Sequence, residues 1–159
     1  MSSANPRVWR NLWHFLAFGL GSGLAPKAQG TWGTVVGLLF VPVLSQLSLT
    51  WLAIFLLAAT LFGCWLCGKV ANDLGVHDHN GIVWDEFVGI WITFFAVPLT
   101  WYWLVLGFVL FRVFDIAKPW PVSWADQKVG GGVGIMLDDI LAGIMAAGVL
   151  QLVLFIVAA

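Results

Sequence analysis

Two acidic pairs open otherwise uncharged stretches of this chain. One lies in Ile82-Val83-Trp84-Asp85-Glu86-Phe87-Val88-Gly89, the other in Ile135-Met136-Leu137-Asp138-Asp139-Ile140-Leu141-Ala142-Gly143. Neighbouring residues on a helix point about 100° apart, so only one acid of each pair can face water without strain. The other is turned into apolar surroundings, where a carboxylate costs several kcal/mol unless it is paired or metal-bound. A helix N-terminus gains about 0.3–1 kcal/mol from a capping acid, and one acid per helix supplies that. Capping and salt bridges to Arg112 and Lys118 are one reading of Asp85, Glu86, Asp138 and Asp139. A divalent metal site is the stronger one, because these four acids and Asp115 outnumber the nearby cations. Oxygen-only ligands suit Mg²⁺, with Mn²⁺ as a substitute.

Three further segments carry polar chemistry. Arg112, Asp115 and Lys118 recur every three residues before Pro119 and Pro121, forming a charged stripe on one helix face. They read either as a snorkelling anchor or, beside a metal, as ligands for phosphate oxygens. The glycine-rich run Gly19–Gly37 places Gly30-Thr31 and Gly33-Thr34 ahead of an apolar span, with Lys27 nearby. Backbone N–H groups and the Thr31 and Thr34 hydroxyls would gather there as an anion site. It is not a Walker A loop, since no Gly-Lys-Ser/Thr follows at the required spacing. His77-Asp78-His79-Asn80-Gly81 is a polar turn in which His77 and His79 serve structure or acid–base chemistry. Cys64 and Cys67 lie three apart in an apolar run and read as packing residues, with no second pair to complete a zinc site.

The elements that must hold these groups are apolar helices. Of 159 residues, 61% are hydrophobic before glycine is counted, against about 45–50% with glycine in ordinary soluble domains. Only 9% are charged, too few to cover a globule of this size. The composition excludes a disordered chain and a secreted disulfide scaffold, and a net charge of −1 gives no field for nucleic acid. The chain reads as an all-α membrane protein, a single domain over 1–159.

No charge lies between Lys27 and Lys69, between Glu86 and Arg112, or after Asp139. Breaks at Ser45–Thr50 and Pro98–Thr100 divide the first two gaps. The expected spans are 34–46, 50–69, 85–97, 101–118 and 137–157, a short bundle of two helical hairpins and a C-terminal span. Spans of about 13 residues reach only part of the way through a ~30 Å core. Val8–Leu20, with Arg7 and Arg10, reads as an interfacial N-terminal helix; it lacks an A-x-A cleavage site and is expected in the mature protein. Every charge then falls on one rim, and all seven Lys and Arg on that rim make it cytoplasmic.

Taken together, Gly-Ser-Gly-Leu-Ala-Pro…Gly-Thr-Trp-Gly-Thr, His-Asp-His…Ile-Val-Trp-Asp-Glu-Phe-Val-Gly, Phe-Asp-Ile-Ala-Lys-Pro-Trp-Pro and Gly-Ile-Met-Leu-Asp-Asp-Ile-Leu-Ala-Gly resemble the phosphatidylglycerophosphatase A family. The resemblance runs from about Trp13 to Gly148. It implies a bacterial inner-membrane, multi-pass, Mg²⁺-dependent lipid phosphatase that converts phosphatidylglycerophosphate to phosphatidylglycerol. The residue reading then gives metal held by Asp85, Glu86, Asp138 and Asp139, and phosphate held by Lys27, Thr31, Thr34, Arg112 and Lys118. His79 or Asp115 would take the proton from water, and His77 would protonate the leaving oxygen, while the diacyl tails stay in the bilayer. A cysteine phosphatase is excluded because neither cysteine has an arginine six residues on, and no Asp-x-Asp motif is present. The competing class is an ion or small-solute transporter, which should carry polar groups at several depths instead of at one rim. A non-catalytic membrane scaffold is the third, and it would have no use for clustered like charges.

Overall fold

The structure is a computed structural model that describes residues 7–158. Residues 1–6 and Ala159 of the expected domain lie outside the described residues. The described chain is all-helical: α1 (Leu12–Ala17), a 3-10 segment (Gly19–Leu24), α2 (Gln29–Leu38), α3 (Val41–Leu44), α4 (Leu49–Leu74), α5 (Trp84–Thr93), α6 (Trp101–Ala117), α7 (Val122–Lys128) and α8 (Gly131–Ala158). Two of them, α4 and α8, are long and apolar enough to cross a bilayer. Only 28% and 22% of their most apolar stretches are buried in the protein. The core helix of a soluble protein would hide far more of such a surface.

Several boundaries differ from the sequence expectation, each for a local reason. The N-terminal helix ends at Ala17, short of Leu20, because Gly19, Leu20 and Gly21 all take positive φ, which no right-handed helix accommodates. The first span is divided at Leu39–Phe40: Pro42 would remove an amide and crowd the carbonyl four residues back if α2 continued. In α4 the Ser48 hydroxyl caps the Trp51 amide, and the helix runs past Lys69 to Leu74. An i,i+4 pair between Lys69 and Asp73 at 2.8 Å supports that extra turn, and Gly75 at φ +67° stops it. Helix α5 ends at Thr93 instead of 97, with Ala96 at φ +58° and Pro98 just beyond. Past Pro119 and a cis Trp120–Pro121 bond comes α7, a helix the sequence reading did not anticipate. The last helix begins at Gly131, six residues before the expected start.

Helix α8 is the hub, packing against α4, α5, α6 and α7, while α2 lies on α5 and also meets α6. The segments flanking the Ser45–Thr50 turn therefore take different neighbours, α2 mainly α5 and α4 mainly α8. Indole N–H groups of α5 tie it to both sides: Trp91 Nε1 donates to the Gly37 carbonyl at 2.9 Å and Trp84 Nε1 to that of Ala59 at 3.2 Å. Phe18, Phe87, Phe111, Leu66 and Met136 fill the interior. Where α5 crosses α8, a β-carbon on Gly143 would stand 2.4 Å from the Gly89 carbonyl oxygen, so the two backbones touch. Each of these glycines follows an acidic pair by about one turn, so the contact brings both pairs to the same end of the crossing.

Candidate active site

Both acidic pairs open onto one polar pocket of about 340 Å³. Its walls come from the start of α2, the turn before α5, the first turn of α5, the last turns of α6 and the third turn of α8. Six carboxylates face it, those of Asp78, Asp85, Glu86, Asp115, Asp138 and Asp139, against two cations, Arg112 and Lys118. In each pair one acid is buried (Glu86, Asp139) and its neighbour is half-buried (Asp85, Asp138), as the 100° step between adjacent residues requires.

The α6 stripe supplies the cations. Arg112 Nη1 lies 2.7 Å from Glu86 Oε2 and 2.6 Å from Asp115 Oδ2, and 3.3 Å from the Thr34 hydroxyl. That hydroxyl in turn donates to Glu86 Oε2 at 2.5 Å. Thr34 is buried, and the start of α2 presses so closely on Glu86 that a β-carbon on Gly30 would meet Oε1 at 1.9 Å. Lys118, in the left-handed conformation at the end of α6 (φ +44°), reaches Asp126 Oδ1 at 2.5 Å and Asp138 Oδ2 at 2.9 Å. Burial draws the pKa of its ammonium down, but the two carboxylate hydrogen bonds outweigh it and raise it above the usual lysine range. Lys118 is therefore charged throughout the neutral range.

One acid of each pair is left over, and Asp78, which is exposed, has no cation partner either among the described residues. Asp85 Oδ1 is buried without a hydrogen-bond partner, and neither Asp85 nor Asp139 has a cation within ion-pair distance among the described residues. Helix capping does not account for Asp139. It stands beyond the four free amides at the start of α8, now that the helix begins at Gly131. Among the described residues no three His, Cys, Asp or Glu side chains are drawn tightly enough to hold a metal ion as they stand. The donor set nevertheless fits a hard divalent cation: oxygen ligands only, an excess of negative charge, and a buried carboxylate oxygen with no partner.

The remaining sequence candidates lie around this pocket. Lys27 is exposed and, like Thr31, stands outside its wall, whereas Ala28, Gln29 and Gly30 line it. His79 also lies outside; its Nδ1 accepts the Gly81 amide at 3.0 Å and its ring packs on Phe18. His77 lines a smaller adjoining cavity of about 80 Å³ with Asp78, Asp85, Asp126 and Asp138. Sequence reasoning gave no role to Asp78 or Asp126. Asp78 was legible as the centre of the His-Asp-His turn, just ahead of Asp85. Asp126 carried no such signal, because only the turn at Pro119–Pro121 folds it back onto Lys118.

Comparison with known proteins gives the same family that the motifs resemble. A sequence model of phosphatidylglycerophosphatase A matches residues 15–154. A phosphatidylglycerophosphatase A of Escherichia coli (strain K12) is 46% identical over 144 residues, 90% of this chain and 84% of that protein. One from Haemophilus influenzae is 51% identical over 135 residues, 84% of this chain and 83% of that protein. A Bacteroides thetaiotaomicron protein with the provisional name phosphatidylinositol-3-phosphatase is 41% identical over 135 residues, 79% of this chain and 83% of that protein. No solved structure matches significantly. With the acid pairs, the α6 stripe and the glycine-rich segment all inside the matched region, the chain belongs to the phosphatidylglycerophosphatase A family.

Proposed function

We propose that this protein is a membrane-embedded lipid phosphatase. It hydrolyses the terminal phosphomonoester of phosphatidylglycerophosphate, releasing phosphatidylglycerol and inorganic phosphate. The observation that carries the reading is the pocket itself, in which two cations and an uncompensated set of carboxylates share one end of an apolar bundle. Two relatives bear the name of that activity. The whole chain acts as one domain of a bacterial inner membrane, crossing it several times, with the pocket on the cytoplasmic side where the lysines and arginines collect.

Asp85 and Asp139, with Glu86 and Asp138 beside them, would hold Mg²⁺. Such an ion supplies a Lewis acid toward a phosphoryl oxygen and lowers the pKa of a bound water. Arg112 and Lys118 bind the non-bridging oxygens of the phosphate and balance the charge that builds there. Glu86 and Thr34 fix the Arg112 guanidinium so that it need not reorganise during the reaction. Of the three proton-transfer candidates, Asp115 lines the pocket. Its carboxylate accepts a proton as the water oxygen attacks phosphorus and the bond to the glycerol oxygen breaks; the same proton then passes to the leaving oxygen, which departs as the alcohol. His77, in the adjoining cavity, is placed to exchange protons with solvent.

The test is phosphate release from phosphatidylglycerophosphate by detergent-purified protein, with and without Mg²⁺, beside Asp139→Asn. Mg²⁺-dependent release lost in the variant supports the reading. Absence of release with any divalent cation overturns it, and ion flux in liposomes would then favour the transport alternative. Phosphatidylinositol 3-phosphate belongs in the same assay, since a relative's provisional name points to that head group.

A further inference from the structure

We infer that Asp126 is a positioning residue, which acts by holding the Lys118 ammonium in the wall of the pocket. The inference rests on the phosphatase reading only in that Lys118 is taken to receive a phosphate. Lys118 lines the large pocket, but Asp126 does not; it lines the small cavity behind. The ion pair between them thus passes through the partition, and Asp138, which lines both spaces, takes the other side of the same ammonium.

The backbone supports a placed cation. A lysine at φ +44° and ψ 55° occupies the left-handed region, which residues with a β-carbon avoid. It stands where the chain leaves α6, and its ammonium meets Asp126 of α7. Helix α7 is itself packed on α8, so Asp126 is held by the helix that carries Asp138. Two anchors from two helices fix the ammonium at a point that a single flexible pair would not. Without Asp126, Lys118 keeps Asp138 as its sole carboxylate partner and is drawn toward α8. A phosphate must then compete with an undivided ion pair for it.

The consequence is a defect in phosphate binding with chemistry spared. Asp126→Ala and Asp126→Asn are expected to raise KM about five- to tenfold and to leave kcat within about twofold. Asp126→Glu, which keeps the charge, restores most of the KM. The double variant Asp126→Ala/Lys118→Ala should be no worse than Lys118→Ala alone, since the first acts through the second. A role confined to folding would lower yield or thermal midpoint without this split and without rescue by glutamate. The second measurement is calorimetric binding of inorganic phosphate to the full chain in detergent with Mg²⁺ present. Asp126→Ala should weaken it by the same factor. Phosphate binding that depends on Asp126 supports the inference even if phosphatidylglycerophosphate is not the lipid turned over. Unchanged KM and phosphate affinity in Asp126→Ala, or no phosphate binding by the unaltered protein, overturns it.

Discussion

The two acidic pairs look alike in sequence and sit in different electrostatic settings. Asp85-Glu86 occupies the first turn of α5, where free amides and the helix dipole favour negative charge. Asp138-Asp139 lies in the third turn of α8, past the free amides, so its charge must be met by side chains or by a ligand. Both pairs nevertheless divide in the same way. Glu86 is met by Arg112 and Asp138 by Lys118, both cations coming from the end of α6, while Asp85 and Asp139 have none. The lesson is that one helix neutralises one acid of each pair, and the pocket keeps the other two for a ligand.

The strongest way to break this division is to remove the unmatched acids. Asp139→Asn and Asp85→Asn are each expected to cut phosphate release about 1000-fold. Thermal stability should hold or rise in the metal-free protein, because a buried, uncompensated charge is lost. A fall in thermal midpoint alongside the activity would place these acids in the structural network. Glu86→Gln probes the matched class and has the opposite signature. It leaves Arg112 with Asp115 as its one carboxylate partner, so unfolding should become easier by about 1–3 kcal/mol, with activity down about 100-fold. If Glu86→Gln were as stable as the parent protein, the matched acids would not be structural.

Metal addition sharpens the contrast. Mg²⁺ at a hundred times its dissociation constant stabilises a protein by about 2.7 kcal/mol. That gain should appear in thermal melts of the unaltered chain and vanish in Asp85→Asn and Asp139→Asn. The smallest effect is expected for Thr34→Val, which removes one hydrogen bond to Glu86 and should cost about 1 kcal/mol and a few-fold in rate. A loss as large as that of Asp139→Asn would mean that Thr34 touches the reacting atoms itself.

Much of the site was legible because its signals were local. Adjacent acids at the head of an apolar run, and cations three apart before a proline, say which residues share a helix face without any tertiary knowledge. The all-helical membrane class followed from a charge content too low to clothe a soluble surface. What local reading missed was decided by contacts distant in sequence. Gly131, Gly132 and Gly134 look like loop residues, since glycine is a poor helix former. In the fold they begin α8, and at Gly132 the helix passes α4 backbone to backbone: a β-carbon there would sit 1.9 Å from the Cys64 carbonyl oxygen. Asp126 is one acid in a short polar stretch, and nothing near it in sequence announces that Lys118 turns back to meet it. Thr34 was read as a phosphate ligand from its place beside Gly33. The fold sets its hydroxyl against Glu86, a partner 52 positions away, with the Gly30 carbonyl and Arg112 also within reach.

The length of α8 has a consequence for how a two-tailed lipid is handled. From Asp139 to Ala158 the helix rises about 29 Å, close to the ~30 Å thickness of a bilayer's hydrocarbon layer. With that uncharged run immersed, the carboxylates stand level with the boundary between tails and head groups. Lifting an acyl chain into water costs about 0.8 kcal/mol for every methylene, a toll that grows prohibitive over two long chains. A reaction centre at this height needs none of that extraction, since the lipid can diffuse in sideways and leave by the same lateral route.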